Sequence, residues 1–134
     1  MLQEGNIFTV LIVDQDDSFR TILRALLKQD ASFDVFVEAA GATEAIVRAR
    51  HYVPILAILD SSLPEMNGLQ LAQELRKILH HLSIFLLTAD HDLRVEKEAL
   101  SCGIDAVFSK IDDSEAIVAN AAAVCENWRH GGPR

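Results

Sequence analysis

An α/β domain, with a parallel sheet covered by helices on both faces, is expected from three observations on this 134-residue chain. Short runs rich in Val, Ile, Leu and Phe recur five times. Longer stretches with apolar residues at helical spacing separate them, and the two kinds alternate strictly, without repeats, low-complexity segments or an internal linker. Half the residues are apolar, enough for one domain of this length to bury a two- or three-layer core, which excludes a disordered chain and a disulfide-stapled miniprotein. Right-handed crossovers then make a doubly wound sheet the natural arrangement.

The first strand is expected over residues 8–13, and the helix after it carries Phe19, Ile22, Leu23 and Leu26 at helical spacing. The second strand, 34–38, has Asp34 and Glu38 at its ends and suits a sheet edge. Its helix shows Ala42, Ala45, Ile46 and Ala49 in register. The third strand, 55–59, leads to a helix marked by Leu71, Ala72, Leu75 and Leu79. The fourth, 84–87, precedes a helix over 92–102 whose apolar stripe is thin; Gly103 suits its C-terminal cap, and it is expected to be the least firmly docked. After the fifth strand, 106–109, the last helix starts at Asp113-Ser114, good capping residues, with an inward stripe of Ile117, Ala121, Val124 and Trp128. Four of the five strands are nearly continuous apolar runs, as strands covered on both faces should be.

Acidic residues outnumber basic ones by 20 to 12, a formal net charge of −8 with histidine neutral, and no block of Lys or Arg is present. Such a surface repels phosphate backbones and anionic lipid, so direct binding of nucleic acid or membrane is not expected. No apolar run is long enough to cross a bilayer, and the N-terminus lacks a basic segment followed by an apolar one, so a soluble cytoplasmic protein is expected. Cys102 and Cys125 have no neighbouring ligand pair and read as reduced structural thiols. The five histidines, His80-His81 among them, show no ligand spacing and read as solvated.

In a doubly wound sheet, chemistry sits outside the carboxyl ends of the strands. There the first strand runs into Asp14-Gln15-Asp16-Asp17, the third into Asp60-Ser61-Ser62, the fourth into Thr88-Ala89-Asp90 and the fifth into Lys110. Carboxylates gathered in one crevice repel unless a cation or an ammonium intervenes, and hard oxygen ligands of this type suit Mg²⁺. Taken singly, Asp16 and Asp17 read as turn or helix-capping residues, Thr88 as a cap for the fourth helix and Lys110 as a solvated strand-end charge.

The stretch Leu59-Asp60-Ser61-Ser62-Leu63-Pro64-Glu65-Met66-Asn67-Gly68, with Leu11-Ile12-Val13-Asp14, Leu87-Thr88-Ala89 and Ser109-Lys110 in order at the other strand ends, resembles the receiver domains of two-component response regulators. The resemblance implies a flavodoxin-like (βα)5 fold with strand order 2-1-3-4-5, a receiver domain over residues 1–128, and a disordered tail or the start of a linker over 129–134. It implies that Asp60 takes a phosphoryl group from a sensor histidine kinase or phosphotransfer protein, while Lys110 pairs with the acceptor carboxylate and Thr88 offers its hydroxyl to a phosphoryl oxygen. The implied Mg²⁺ site comprises Asp14, Gln15, Asp60 and the backbone carbonyl of Ser62, supported by Asp16 and Asp90. Ser62 and Asp90 also stand where the family tunes the lifetime of the acyl phosphate. Pro64 and Gly68 are expected to shape the loop.

Three departures from the family pattern stand out. Gln15 replaces a second acid, so a weakened metal site is expected. Val107 stands where the family usually has Tyr or Phe, and Phe108, facing the opposite way, is expected in the core. Ile111 follows Lys110 in place of a proline. The implied signalling face comprises the fourth helix, fifth strand and fifth helix, for an output domain, a protein partner or a second copy; a second apolar line on the fifth helix, Val118, Ala122 and Cys125, is either ordinary exposed surface or part of that contact. The alternative function is a degenerate pseudo-receiver, a phosphorylation-independent interaction module. An aspartyl phosphatase using Asp14 leaves the Asp60 loop without a role and the chain without room for a cap domain. Flavin binding lacks a Ser/Thr/Gly phosphate loop after the first strand.

Overall fold

The computed structural model describes residues 7–89 and 93–132. Strands β1 (Thr9–Val13), β2 (Val35–Ala39), β3 (Leu56–Asp60), β4 (Ser83–Thr88) and β5 (Ala106–Ser109) alternate with helices α1 (Asp17–Asp30), α2 (Ala42–Tyr52), α3 (Gly68–Ile78), α4 (Leu93–Ser101) and α5 (Ser114–Arg129). All the strands pair in parallel, in the order β2-β1-β3-β4-β5. The expected (βα)5 fold and strand order are therefore present, with β2 at an edge.

Period-two alternation divides the core between the faces of the sheet. Leu11, Val13, Ala57, Leu59, Ile84 and Leu86 pack with the buried residues of α2, α3 and α4. Val10, Ile12, Leu56, Ile58, Phe85, Leu87 and Phe108 pack with α1 and α5. Phe108 lies edge-on to Phe85 with centroids 5.3 Å apart, in the core as expected.

Two apolar expectations need correction. On α1 the buried residues are Leu23 and Leu27, while Ile22 is 59% exposed: it sits 100° around the helix from Leu23 and so points to water. On α5, Val118 and Cys125 do not form an outward line, because both are buried in the core. Helix α5 packs on α1 as well as on β5, so its buried stripe is wider than a single helix–sheet contact requires. Burial pushes the Cys125 thiol up, while Cys102 is exposed, so only Cys125 plays a packing role; neither is in a disulfide.

The weakest element is α4, where only Ala99 is buried, as the thin stripe predicts. Its end is a Schellman motif: Gly103 (φ +93°) donates to the Leu100 carbonyl and Ile104 to that of Ala99, which requires the left-handed conformation that glycine adopts freely. At the start of α5, Asp113 occupies the cap position, but its carboxylate turns back to accept from the Ser109 N–H at 2.7 Å. Among the described residues no helix is long and apolar enough to cross a membrane.

Candidate functional site

Strand register assembles the site. Val13 of β1 lies beside Leu59 of β3, so the next residues, Asp14 and Asp60, meet at the carboxyl end of the sheet. Asp60 in turn lies beside Leu87 of β4, followed by Thr88, and Thr88 lies beside Ser109 of β5, followed by Lys110. Four adjacent strands thus deliver two carboxylates, a hydroxyl and an ammonium to one rim.

Asp14 and Asp60 are both buried, and Lys110 lies between them. Its Nζ donates to Asp14 Oδ2 at 2.6 Å and stands 3.6 Å from Asp60 Oδ2. Burial pushes the Asp60 carboxyl above its ordinary range, and the charge of Asp14 adds to this against the Ser62 N–H and Lys110. Burial alone would push the Lys110 ammonium down; its hydrogen bond and attraction to Asp14, with the charge of Asp60, outweigh this and hold it above the usual lysine value. Backbone donors fix the remaining carboxylate oxygens: Ser62 N–H to Asp60 Oδ1 at 3.2 Å and Asp16 N–H to Asp14 Oδ1 at 2.9 Å. Thr88 Oγ1 is buried with no hydrogen-bond partner among the described residues, so it does not cap α4 there. A buried hydroxyl left unpaired is costly, and an incoming oxygen would satisfy it.

The other expected residues divide. Gln15 and Ser62 are exposed at the rim. The carboxylate of Asp16 is turned away into an N-cap of α1, accepting from Ser18 N–H at 3.0 Å and Phe19 N–H at 3.2 Å. Asp17 pairs with Arg20. Asp90 lies outside the described residues. The oxygen donors of Asp14, Asp60, Gln15 and Ser62 suit Mg²⁺, with two charges among them. No cluster of three His, Cys, Asp or Glu that could hold a metal occurs among the described residues.

Four residues support the site: Gly68, expected to shape the loop, and Glu65, Arg20 and Phe19, for which the sequence suggests no role there. Gly68 lets α3 start against the acceptor loop, since a Cβ there would lie 2.5 Å from the Asp60 carbonyl oxygen and 2.6 Å from Leu86 Cδ1. Glu65 crosses to α2, whose cap residue Gly41 supplies no side chain, and accepts from the Ala42 N–H at 2.7 Å, tying the Asp60 loop to that helix. Arg20 donates to the backbone carbonyl of Asp14, to Glu38 at 3.0 Å and to Asp17 at 2.8 Å, bracing the β1–α1 loop. The Phe19 ring lies under Lys110 Nζ, 4.4 Å from its centroid. Only the Asp17–Arg20 spacing was visible locally; the others depend on residues distant in sequence.

The model of the response regulator receiver domain family matches residues 10–122. Response regulator Rre1 of Synechocystis sp. is 34% identical over 120 residues, 86% of this chain and 52% of that protein. Response regulator protein VraR of Staphylococcus aureus is 26% identical over 108 residues, 81% of this chain and likewise 52% of the relative. The chain therefore spans about half the length of these curated relatives. A crystal structure of a CheY-like response regulator receiver domain protein from Methanospirillum hungatei superposes with a TM-score of 0.82 at 22% identity, covering 95% of this chain and all of that one. With the fold, the strand-end residues and the family match in agreement, the chain belongs to the response regulator receiver domains of two-component signalling systems.

Proposed function

We propose that Asp60 accepts a phosphoryl group from a phosphohistidine on a sensor histidine kinase or phosphotransfer protein. The observation that carries this reading is the Thr88 hydroxyl, buried and without a hydrogen-bond partner among the described residues, on the strand beside Asp60 and its neighbour Lys110. In the transfer, an Asp60 carboxylate oxygen bonds to phosphorus as the phosphorus–nitrogen bond breaks, and the departing imidazole keeps the bonding pair. Lys110 balances charge on the phosphoryl oxygens, Thr88 donates to one of them, and the Ser62 N–H steadies the attacking carboxylate. Asp14, Asp60, the Gln15 amide oxygen and the Ser62 carbonyl would hold Mg²⁺, which supplies countercharge during transfer; with Gln15 neutral, that site binds weakly.

The chain is read as a cytoplasmic signalling module, not a classical enzyme. Its output is a change in a protein-binding face built from α4, β5 and α5, where Leu93, Leu100 and Ile111 are exposed, toward an output domain, a protein partner or a second copy. Residues 129–134 would then act as a tail or the start of a linker; α5 itself runs to Arg129.

Acetyl phosphate with Mg²⁺ is expected to add the mass of one phosphoryl group, and Asp60→Ala to abolish the gain. Absence of modification even at high Mg²⁺ overturns the reading. Because Gln15 leaves the site one acid short, partner binding that needs no phosphodonor and survives Asp60→Ala would assign the chain as a pseudo-receiver instead.

A further inference from the structure

The ammonium of Lys110 is held by more than its two carboxylates. Its side chain is only 18% exposed, so it has lost most of its hydration. Asp14 supplies one close contact at 2.6 Å, and Asp60, at 3.6 Å, stands beyond a good hydrogen bond. A third neighbour is the face of Phe19, with its centroid 4.4 Å from Nζ. Phe19 lies in the first turn of α1, its ring is half-buried, and its amide is fixed by the Asp16 cap. The ring face carries the negative part of the aromatic quadrupole and attracts a cation most strongly where water is scarce. An aliphatic side chain could fill the same space but would offer no such attraction.

We propose that Phe19 is a positioning residue for Lys110, its ring face confining the ammonium between Asp14 and Asp60, where it meets a phosphoryl group on Asp60. This rests on the phosphoacceptor reading above. Asp16 contributes indirectly, because its cap orients the turn that carries the ring. The contact also gives α1 a direct link to the acceptor site, in a chain whose usual aromatic position holds Val107.

The test compares Phe19→Leu and Phe19→Trp with the parent chain. In metal-free buffer, the ring current of Phe19 should shift the Lys110 Cε protons upfield; Leu should abolish this shift and Trp should keep it. With saturating Mg²⁺, Phe19→Leu should weaken fluoroberyllate binding and slow phosphorylation by acetyl phosphate by about three- to tenfold, with Phe19→Trp near the parent. Thermal unfolding of each variant separates loss of packing from loss of the ring face. Equal effects of Leu and Trp, or Lys110 proton shifts unchanged in Phe19→Leu, overturn the proposal. If the parent chain takes neither phosphoryl group nor fluoroberyllate, the phosphoacceptor reading fails, while the proton shifts still decide whether the ring holds the lysine. Should Phe19→Leu fold poorly, Phe19→Met serves as the non-aromatic variant.

Discussion

The two halves of the site rim are built differently. On the β1–β3 side every strand residue is buried, α3 contributes Leu71, Ala72 and Leu75 to the core beneath, and the acceptor loop is pinned by Gly68 and Glu65. On the β4–β5 side, β5 starts half-exposed, α4 buries only Ala99, and the Thr88 hydroxyl has no hydrogen-bond partner among the described residues. A nucleophile must be held still and a responding element must be free to move, so under the proposed function this asymmetry suits acceptance on the rigid half and response on the loosely packed one.

The largest expected effect is on stability. Leu71→Ala should lower the unfolding free energy by about 3 kcal/mol, because Leu71 is fully buried and its truncation leaves a cavity in the core. Leu100→Ala on α4, at a residue 46% exposed, should stay within about 0.5 kcal/mol. Denaturant titration of both measures the contrast, and similar losses would dissolve it.

The next effect concerns the metal. Gln15→Asp should strengthen Mg²⁺ binding roughly tenfold, since a third carboxylate joins Asp14 and Asp60, and should lower the stability of the metal-free chain through repulsion among the three. Calorimetric titration with Mg²⁺ reads the first and thermal unfolding in EDTA the second. Unchanged affinity would mean that residue 15 does not face the cation.

Much of this rim was legible in the sequence because each site residue directly follows an apolar run, and parallel register converts that position into proximity. Asp14, Asp60, Thr88 and Lys110 could therefore be chosen without knowing a distance. The outward face of α1 was misread, because Phe19, Ile22, Leu23 and Leu26 fit helical spacing in more than one way, and only packing on the sheet selects Leu23 and Leu27. Val118 and Cys125 were misjudged because α5 buries a second flank against α1, a neighbour remote in sequence. Of the two roles the sequence leaves Asp16, a cap and a support for the metal site, the structure shows the cap. The Glu65 bond to Ala42 had no local signature, since a carboxylate reaching 23 residues back obeys no period.

The smallest expected effect depends on pH and tests where the rigid half stores its cost. Burial and Asp14 raise the Asp60 carboxyl above its ordinary value of 3.8 in the folded chain. Between that value and the raised one, the native state binds more protons than the unfolded state. Stability therefore falls as pH rises through the interval, and the deficit is complete above the folded pKa. Asp60→Asn removes the deficit while its amide oxygen can still accept from Ser62, so in EDTA at neutral pH it should melt a few degrees higher than the parent. That advantage should shrink as pH falls toward 3.8. Thr88→Val, which replaces a buried hydroxyl with no partner among the described residues by an isosteric methyl, should also raise the melting temperature, but by an amount that does not vary with pH. Matching pH profiles for the two variants would show that the cost at Asp60 is not one of charge, and would leave the rigid half with no electrostatic strain for a phosphoryl group or a cation to relieve.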